Sequence, residues 1–168
     1  FAHPGKKLTF MGTEIPQFIE WDEKRELDWF LLDYPLHKKT HDYVRELNYF
    51  YQKTPAFWQQ DGGWDGFEWH VVDDADHNIF AFSRKAKNGQ EILVISNFSG
   101  VNWNQYWIGF NDERSYRLVL NSDEDKYGGK GIQVEQVKTI EQQCGELPYT
   151  LQIDIPAFST MYFERINE

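Results

Sequence analysis

The sequence is poor in cysteine and in basic residues, and it has no long apolar run. Its only cysteine among 168 residues, Cys144, excludes an internal disulfide and a four-cysteine metal site. The 17 Lys and Arg against 27 Asp and Glu give a net charge of −10, so the chain lacks the cationic surface that binds phosphate backbones. Apolar runs such as Ile92–Ile95 are far shorter than the roughly 20 residues that span a bilayer. We therefore expect neither a nucleic-acid partner nor a membrane-spanning segment.

The N-terminus also lacks the features of a targeting segment. Residues Phe1–Lys7 do not have the basic-then-apolar order of a signal peptide. Together with the single cysteine, this predicts a cytoplasmic protein. The chain begins at Phe1 without an initiator Met, which is compatible with a piece of a longer polypeptide.

The second part of the chain has the pattern of an all-β domain. The sequence is 40% hydrophobic and 17% aromatic, which indicates a folded core. From residue 66 onward, apolar and polar residues alternate with a period of two in short segments separated by turn residues. The predicted strands are Phe67–Val72, Ile79–Arg84, Glu91–Phe98, Asn104–Phe110, Ser115–Leu120, Ile132–Lys138, Thr150–Ile155 and Phe158–Glu164. Eight such strands predict an antiparallel β-sandwich.

Finer features of this region give further expectations. Leu151, Ile153 and Ile155 should face inward and Thr150, Gln152 and Asp154 outward. Ile92–Ile95 is apolar on both faces, which predicts a central strand. Asn88-Gly89 predicts a hairpin with a type I′ turn, in which both central residues have positive φ.

The first part of the chain, up to about residue 61, has a helical or irregular pattern. Leu8–Met11 is a short apolar run that predicts one buried strand. Apolar residues recur every three or four positions within His41–Gln52, which predicts a helix with one apolar face. Thr40 is the predicted N-cap, and Pro55 marks the end of this helix.

Candidate metal and phosphate sites are weak. His37 and His41 have metal-ligand spacing, but no third ligand accompanies them, and we interpret them as surface histidines. The acidic stretch Asp73–Asp76 lacks the glycine and glutamate of a calcium loop, which favours an acidic hairpin turn. The glycine-rich Tyr127–Gly131 precedes a strand pattern and is interpreted as a loop. We predict no metal site and no cofactor.

Aromatic residues suggest one kind of ligand. The 27 acidic residues make some carboxylate pair inevitable, so their number decides nothing about glycoside chemistry. Flat aromatic rings stack on sugar faces, although most rings of a sandwich fill its core. Trp64 and Trp103 lie in predicted loop or edge positions and are the expected exceptions.

An ordered set of motifs covers nearly the whole chain. They are His3–Leu8, Met11–Glu14, Gln17, Glu20-Trp21, Leu27–Trp29, Val44–Asn48, Gly66–Trp69, Ser96–Phe98, Leu120–Asp123 and Tyr127–Gly129. Together they resemble the C-terminal part of bacterial 1,4-alpha-glucan branching enzymes, in the alpha-amylase superfamily. The Leu27–Trp29 and Tyr127–Gly129 motifs favour this family over its relatives.

The resemblance implies a division of the chain. In this superfamily a (β/α)8 barrel carries the chemistry and an all-β domain follows it. Residues 1–61 then correspond to the end of the barrel, with Leu8–Met11 as its eighth strand and the helix near His41–Gln52 as its last helix. Residues 62–168 correspond to the C-terminal sandwich. The implied fold class is mainly β, with the last strand and helices of a barrel in front.

The resemblance also implies where the chemistry lies. In this family an Asp attacks the anomeric carbon, a Glu protonates the leaving oxygen, and a second Asp stabilises the transition state. The covalent glucan then passes to a 6-hydroxyl of an acceptor chain. These three residues lie on earlier barrel strands, so we assign no catalytic residue to this chain and expect it to be inactive alone.

Three residues match the family motif after the eighth strand: Glu14, Gln17 and Trp21. Barrel enzymes build their sites from such loops, and the resemblance implies that these residues line the substrate end; local anchoring of the loop is the alternative. Thr13 and Ile15-Pro16 depart from the family pattern, which has Gly or Asn and then Phe with a small residue. Proline stiffens a loop and removes a backbone donor.

The implied function is therefore that of a glycogen branching enzyme, a glycosyltransferase, of which this chain is the C-terminal part. Its expected partners are alpha-1,4-glucan and the upstream barrel of the same chain. The alternative is a non-catalytic carbohydrate-binding or structural β-sandwich module, or the C-terminal domain of a related debranching hydrolase.

Overall fold

A computed structural model describes residues 1–134 and 136–166 of the chain. One α-helix, α1 (Pro35–Lys53), precedes eight strands. The strands are β1 (Phe67–Asp74), β2 (Ile79–Lys85), β3 (Glu91–Asn97), β4 (Trp103–Phe110), β5 (Ser115–Asn121), β6 (Gln136–Lys138), β7 (Tyr149–Ile155) and β8 (Thr160–Ile166). Within the described ranges, no helix is long and apolar enough to cross a membrane.

The strands form two antiparallel sheets. Six strands follow the order β1-β2-β3-β8-β5-β6, and β4 pairs with β7 in a second sheet. The predicted mainly β fold is therefore confirmed. The predicted central position of Ile92–Ile95 is also confirmed, because every residue of β3 is buried between two neighbouring strands.

The main core lies between the two sheets. Alternate residues of β2, β3 and β8, including Ala81, Leu93 and Phe163, pack in one cluster with residues of β4 and β7, such as Ile108 and Leu151. The alternation of side chains along a strand makes this inner face possible. The opposite face of the six-stranded sheet is therefore left for another layer.

That layer is α1 together with the N-terminal segment. Leu47 of α1, Ala2 and Phe57 pack in one cluster with Phe82 and Tyr162, which lie on the outer face of the sheet. Burial of this apolar area stabilises the helix far more than its intrinsic propensity does. The fold thus has three layers, with the six-stranded sheet in the middle.

The helix is longer than the sequence predicts. It begins at Pro35, whose fixed φ suits the first turn, and the position before it is Tyr34. Thr40 is therefore not the N-cap; its hydroxyl donates to the carbonyl of Leu36 within the helix. The predicted end is confirmed, because α1 stops at Lys53, two residues before Pro55.

The predicted strand Leu8–Met11 does not form, and this prediction is wrong. These residues adopt no strand, and Leu8 is 86% exposed. A single strand needs a neighbouring strand for its backbone hydrogen bonds, and no described strand pairs with this segment.

Seven of the eight predicted strands lie within two residues of the observed ends. The exception is Ile132–Lys138, of which only β6 is a strand among the described residues; Glu135 lies outside them. Leu151, Ile153 and Ile155 are buried as predicted. Thr150 was expected to face outward but is also buried, and its hydroxyl donates to Gln142 O (2.6 Å).

The hairpin predicted at Asn88-Gly89 is confirmed, but its turn type is wrong. The amide of Gly89 donates to Ala86 O (3.1 Å), and that of Ala86 donates to Gln90 O (2.9 Å). Gly89 has positive φ and Asn88 does not. This is a three-residue loop with the glycine in the left-handed region, not a type I′ turn.

Candidate functional site

The loop that carries the predicted substrate residues is held by short-range contacts. The amide of Thr13 donates to Phe10 O (3.1 Å), and the amide of Ile15 donates to Gly12 O (3.0 Å). Gly12 has φ +89°, and a Cβ at this position would lie 2.5 Å from Oε1 of Gln17. The positive φ favours glycine, and a larger residue would displace the side chain of Gln17.

Gln17 has local structural contacts. Its Nε2 donates to Ile19 O (3.1 Å), and its Oε1 accepts from the amide of Asp28 (3.4 Å). The side chain therefore links the loop to the segment that leads into α1. This matches the anchoring alternative stated for these residues.

Trp21 and Glu14 are more available. The Trp21 ring is 48% exposed and packs edge-to-face on Phe10, with centroids 5.2 Å apart. Glu14 is half-buried. Within the described residues, no hydrogen bond or ring contact joins Glu14, Gln17 and Trp21, so the structure does not bring their side chains together.

His37 has a role that the sequence did not predict. Its ring is half-buried, and Nδ1 donates to the carbonyl of Ile15 (2.9 Å). The ring also packs edge-to-face with Phe18 at 5.1 Å. His37 therefore anchors the Gly12–Phe18 loop to α1. The spacing between His37 and His41 gave no indication of this contact.

The histidines and acidic residues do not assemble into a metal centre. His41 is half-buried. Across residues 1–134 and 136–166, no group of three His, Cys, Asp or Glu side chains could hold a metal ion. Asp74, at the acidic turn between β1 and β2, instead receives hydrogen bonds from His77 and Tyr106.

An exposed apolar surface surrounds the start of α1. Phe18, Phe30 and Leu36 are strongly exposed. With Tyr34 they line a cavity of about 520 Å³. Contiguous apolar surface of this kind marks an interaction site.

A second aromatic surface lies on the outer face of the six-stranded sheet. Trp69, Phe80 and Phe98 line a groove of about 380 Å³ beside Phe1. The hydroxyls of Ser96 and Thr160, which lie 3.0 Å apart, also line this groove. The sequence pattern predicts that most aromatic rings lie in the core. The alternation along β2 nevertheless indicates that Phe80 faces outward, because its neighbour Ala81 faces the main core.

The two tryptophans predicted to lie outside the core, Trp64 and Trp103, differ in exposure. Trp103 is half-buried against the main core, and its Nε1 donates to His77 O (3.2 Å). It is therefore not an available ring, and this part of the prediction is wrong. Trp64 is strongly exposed, as predicted.

Comparison with known proteins agrees with this architecture. Residues 69–166 match the family described as "Alpha amylase, C-terminal all-beta domain". The catalytic module of SpuA, a multi-modular glycogen-degrading pneumococcal virulence factor, has a similar fold. Its TM-score is 0.53 at 17% identity, over 85% of this chain and 20% of that chain.

Curated relatives match nearly the full chain. The 1,4-alpha-glucan branching enzyme GlgB of Halothermothrix orenii is 43% identical over 169 residues, which is 99% of this chain and 27% of that protein. GlgB of Desulfitobacterium hafniense is 43% identical over 94% of this chain and 25% of that protein. The chain spans about a quarter of the length of these relatives. It belongs to the family of alpha-amylase C-terminal all-β domains, and it is similar along its length to the C-terminal part of bacterial 1,4-alpha-glucan branching enzymes.

Proposed function

We propose that this chain is the C-terminal part of a 1,4-alpha-glucan branching enzyme. Such an enzyme cleaves an alpha-1,4-glucan and transfers the segment to a 6-hydroxyl, which forms an alpha-1,6 branch. The observation that carries the proposal is the 43% identity over 99% of the chain. This identity includes the first 68 residues, which the all-β family match does not cover.

The chemistry of this enzyme would reside in upstream carboxylates. This chain contributes none of the three catalytic residues that the family resemblance implies. Its role is to complete and support the barrel, and we expect it to be inactive on amylose by itself. We propose a cytoplasmic location, which the single cysteine of this chain favours.

The exposed apolar surface at Phe18, Phe30 and Leu36 supports an upstream partner in the same chain. An isolated domain would leave these side chains in water at a cost of about 25 cal/mol per Å². The relatives are about four times longer than this chain, so enough polypeptide exists to cover the surface. A barrel would also supply the strand neighbours that Leu8–Met11 lacks.

The division into residues 1–61 and 62–168 is part of this proposal. The junction is tightly packed, because α1 and Phe57 share a cluster with Phe82 and Tyr162 of the sheet. The first unit would therefore stay attached to the sandwich through an apolar contact as well as through the chain.

Within the first unit, we propose that Glu14 and Trp21 contact glucan and that Gln17 positions the loop. Trp21 offers an exposed ring, and Glu14 offers a carboxylate with no competing hydrogen bond among the described residues. In the complete enzyme, Trp21→Ala should raise KM for amylose. The matched control is Trp107→Ala, which removes a partly exposed ring of the two-stranded sheet.

A second candidate function is direct glucan binding by the sandwich. The groove formed by Trp69, Phe80 and Phe98 combines flat rings with the hydroxyls of Ser96 and Thr160, which suits a sugar polymer. Titration of the chain with maltoheptaose should change its Trp fluorescence, and Trp69→Ala should reduce that change. A flat titration at millimolar sugar would leave the sandwich with a structural role.

The decisive test of the main proposal uses the complete polypeptide, extended upstream of Phe1. Incubated with amylose, it should form alpha-1,6 branches without a matching release of reducing ends. Release of linear chains from a branched glucan, with no new branches in amylose, would instead support a debranching hydrolase. A start codon close to Phe1 would contradict the proposal that this chain is part of a longer enzyme.

A further inference from the structure

The Gly12–Phe18 loop has few hydrogen bonds to the rest of the chain. Within the described residues, two hydrogen bonds connect it to residues beyond its immediate neighbours. Oε1 of Gln17 accepts from the amide of Asp28 (3.4 Å), and the carbonyl of Ile15 accepts from Nδ1 of His37 (2.9 Å). The bond to His37 is the shorter of the two, and it joins the loop directly to α1.

The contact with His37 lies at a packed point of the loop. Ile15 is fully buried. The half-buried ring of His37 also packs edge-to-face on Phe18, with centroids 5.1 Å apart. Two loop residues thus contact one imidazole, one through a hydrogen bond and one through its ring. Partial burial strengthens such a hydrogen bond because less water competes for the carbonyl.

The helix that carries His37 is itself fixed on the sandwich. Leu47 of α1 packs in one cluster with Tyr162 of β8. The ammonium of Lys39 donates to Asp125 O (2.7 Å) in the loop after β5. His37 lies two residues before Lys39, so it projects from a part of α1 that the sandwich holds in place.

The loop depends on this support because its own backbone provides little. Gly12 brings conformational freedom, and Pro16 has no N–H to donate. Glu14 directly precedes Ile15, the residue that His37 holds. The bond to His37 therefore fixes the backbone beside the Glu14 carboxylate.

We propose that His37 is a positioning residue for glucan binding, which acts by holding Ile15 and so the shape of the Gly12–Phe18 loop. The sandwich then contributes to glucan affinity without touching the glucan, because it fixes α1 and α1 fixes the loop. A loop that already has its binding shape loses less conformational entropy when the substrate binds. This inference rests on the proposed function, in which Glu14 and Trp21 contact glucan.

Two substitutions separate the hydrogen bond from the ring contact. His37→Phe keeps a ring beside Phe18 but cannot donate to Ile15, whereas His37→Asn loses the ring and keeps a side-chain N–H close to the position of Nδ1. In the complete polypeptide, extended upstream of Phe1, His37→Phe should raise KM for amylose about three- to tenfold with kcat unchanged. His37→Asn should keep KM within about twofold of the wild type.

His41→Phe is the matched control. His41 lies one helical turn further along α1 and is also half-buried, but its Nδ1 has no hydrogen-bond partner among the described residues. This variant should keep the KM of the wild type, because it removes an imidazole from the same helix without removing a hydrogen bond to the loop.

Hydrogen exchange gives a readout that does not depend on activity. The amides of Thr13 and Ile15 close the two turns of the loop, and their exchange rates in the 168-residue chain report how often it opens. Both amides should exchange about three- to tenfold faster in His37→Phe. They should exchange as in the wild type in His37→Asn and His41→Phe.

A wild-type KM or wild-type exchange rates in His37→Phe would overturn the proposal. It would also be overturned by an equal rise of KM in His41→Phe or His37→Asn, since neither of these removes the hydrogen bond, or by a fall in kcat with KM unchanged. If the wild-type complete polypeptide forms no branches, the proposed function fails and the glucan contact fails with it. The exchange rates would still show whether His37 holds the loop, so the two failures are distinguishable.

Discussion

Nη1 of Arg114 lies 3.0 Å from Oε1 of Glu91, with both side chains almost fully buried. The same carboxylate oxygen accepts from the hydroxyls of Ser83 and Tyr116, each at 2.8 Å. The other carboxylate oxygen of Glu91 accepts from Arg165 at 3.1 Å. Burial opposes the charge of Glu91, but these cations and donors outweigh it and hold its pKa below the usual range. The network joins β2, β3, β5 and β8 at one end of the six-stranded sheet.

Glu91→Gln should destabilise the fold by about 3–5 kcal/mol, because it leaves the buried Arg114 without its countercharge. The measurement is urea unfolding at pH 7 followed by Trp fluorescence. Glu113→Gln is the control: its carboxylate is exposed, so its loss should cost less than about 1 kcal/mol. Equal midpoints for the two variants would contradict the importance of this network.

The same pair predicts a loss of stability in acid. A carboxylate with a lowered folded-state pKa contributes stability that is present above its unfolded pKa of about 4.3 and is lost as the pH falls through the folded pKa. Glu91→Gln should therefore lose less stability than the wild type when the pH is lowered below about 4. A parallel decrease in both proteins would assign the acid sensitivity to other carboxylates.

His70 predicts a second pH dependence, in a higher range. Burial lowers its pKa to about 4. Its Nε2 lies 2.9 Å from Ser83 Oγ, whose proton is donated to Glu91, so Nε2 carries the proton of the neutral ring. Between pH 6.5 and about 4, the unfolded chain binds a proton that the folded chain does not, and stability decreases as the pH falls.

His70→Gln should flatten this decrease, which reaches at most about 1.4 kcal/mol per pH unit, because an amide donates to Ser83 but does not titrate. The measurement is the free energy of unfolding at several values between pH 4 and 7. His3→Gln, at an exposed position, should keep the wild-type slope. An unchanged slope in His70→Gln would show that His70 binds its proton equally well in both states.

The sequence predicts strands better than it predicts edges and caps. β1 to β5, β7 and β8 follow the alternation of apolar residues because each has one face against a core. Among the described residues β6 is shorter than its pattern; Ile132 and Val134 line a surface groove beside β5, and Val134 also packs against the main core. Thr40 resembles an N-cap, yet Pro35 starts the helix five residues earlier. Propensity rules describe local preference, and packing on the sheet sets the length of α1.

The candidate site was predictable only in part. Motif order placed Glu14, Gln17 and Trp21 in one loop, but the bond between His37 and the carbonyl of Ile15 depends on how α1 returns to that loop. No local pattern encodes such a contact between distant residues. The failure of Leu8–Met11 to form a strand has the same origin, because strand formation depends on partners far away in sequence.

Arg84 predicts how the N-terminal segment is attached to the sandwich. Its side chain is completely buried. It donates to Ala2 O (2.6 Å), Phe57 O (3.1 Å), Gly66 O (3.3 Å) and the carboxylate of Asp61 (2.5 Å). One guanidinium thus fixes three separate backbone segments against β2.

Arg84→Lys should loosen these segments, because an ammonium cannot reach acceptors in so many directions. We expect about 2–4 kcal/mol of destabilisation and faster trypsin or thermolysin cleavage within residues 1–66. Arg117→Lys, at an exposed ion pair with Glu164, should leave both measurements unchanged. First cleavage inside the strands would contradict the proposed boundary near residue 61.

Gly129 predicts the rigidity of the loop that contacts α1. Two residues of α1 contact this loop: the ammonium of Lys39 donates to Asp125 O (2.7 Å), and Tyr43 packs on Tyr127 with ring centroids 5.0 Å apart. A Cβ at Gly129 would lie 2.0 Å from the carbonyl oxygen of Asp123, a backbone atom that cannot rotate away. Gly129→Ala must therefore displace the backbone and the helix contacts.

The expected cost is about 1–3 kcal/mol, measured by urea unfolding, with a lower near-UV signal from the tyrosines. Gly62→Ala is the matched control, since a Cβ there meets no atom within 4 Å, and its effect should stay within about 0.5 kcal/mol. If both variants were equally stable, the close approach of Gly129 to Asp123 would not constrain the loop. A selective loss in Gly129→Ala would instead place this glycine among the residues that hold α1 on the sandwich, because its loop supplies the partners of Lys39 and Tyr43.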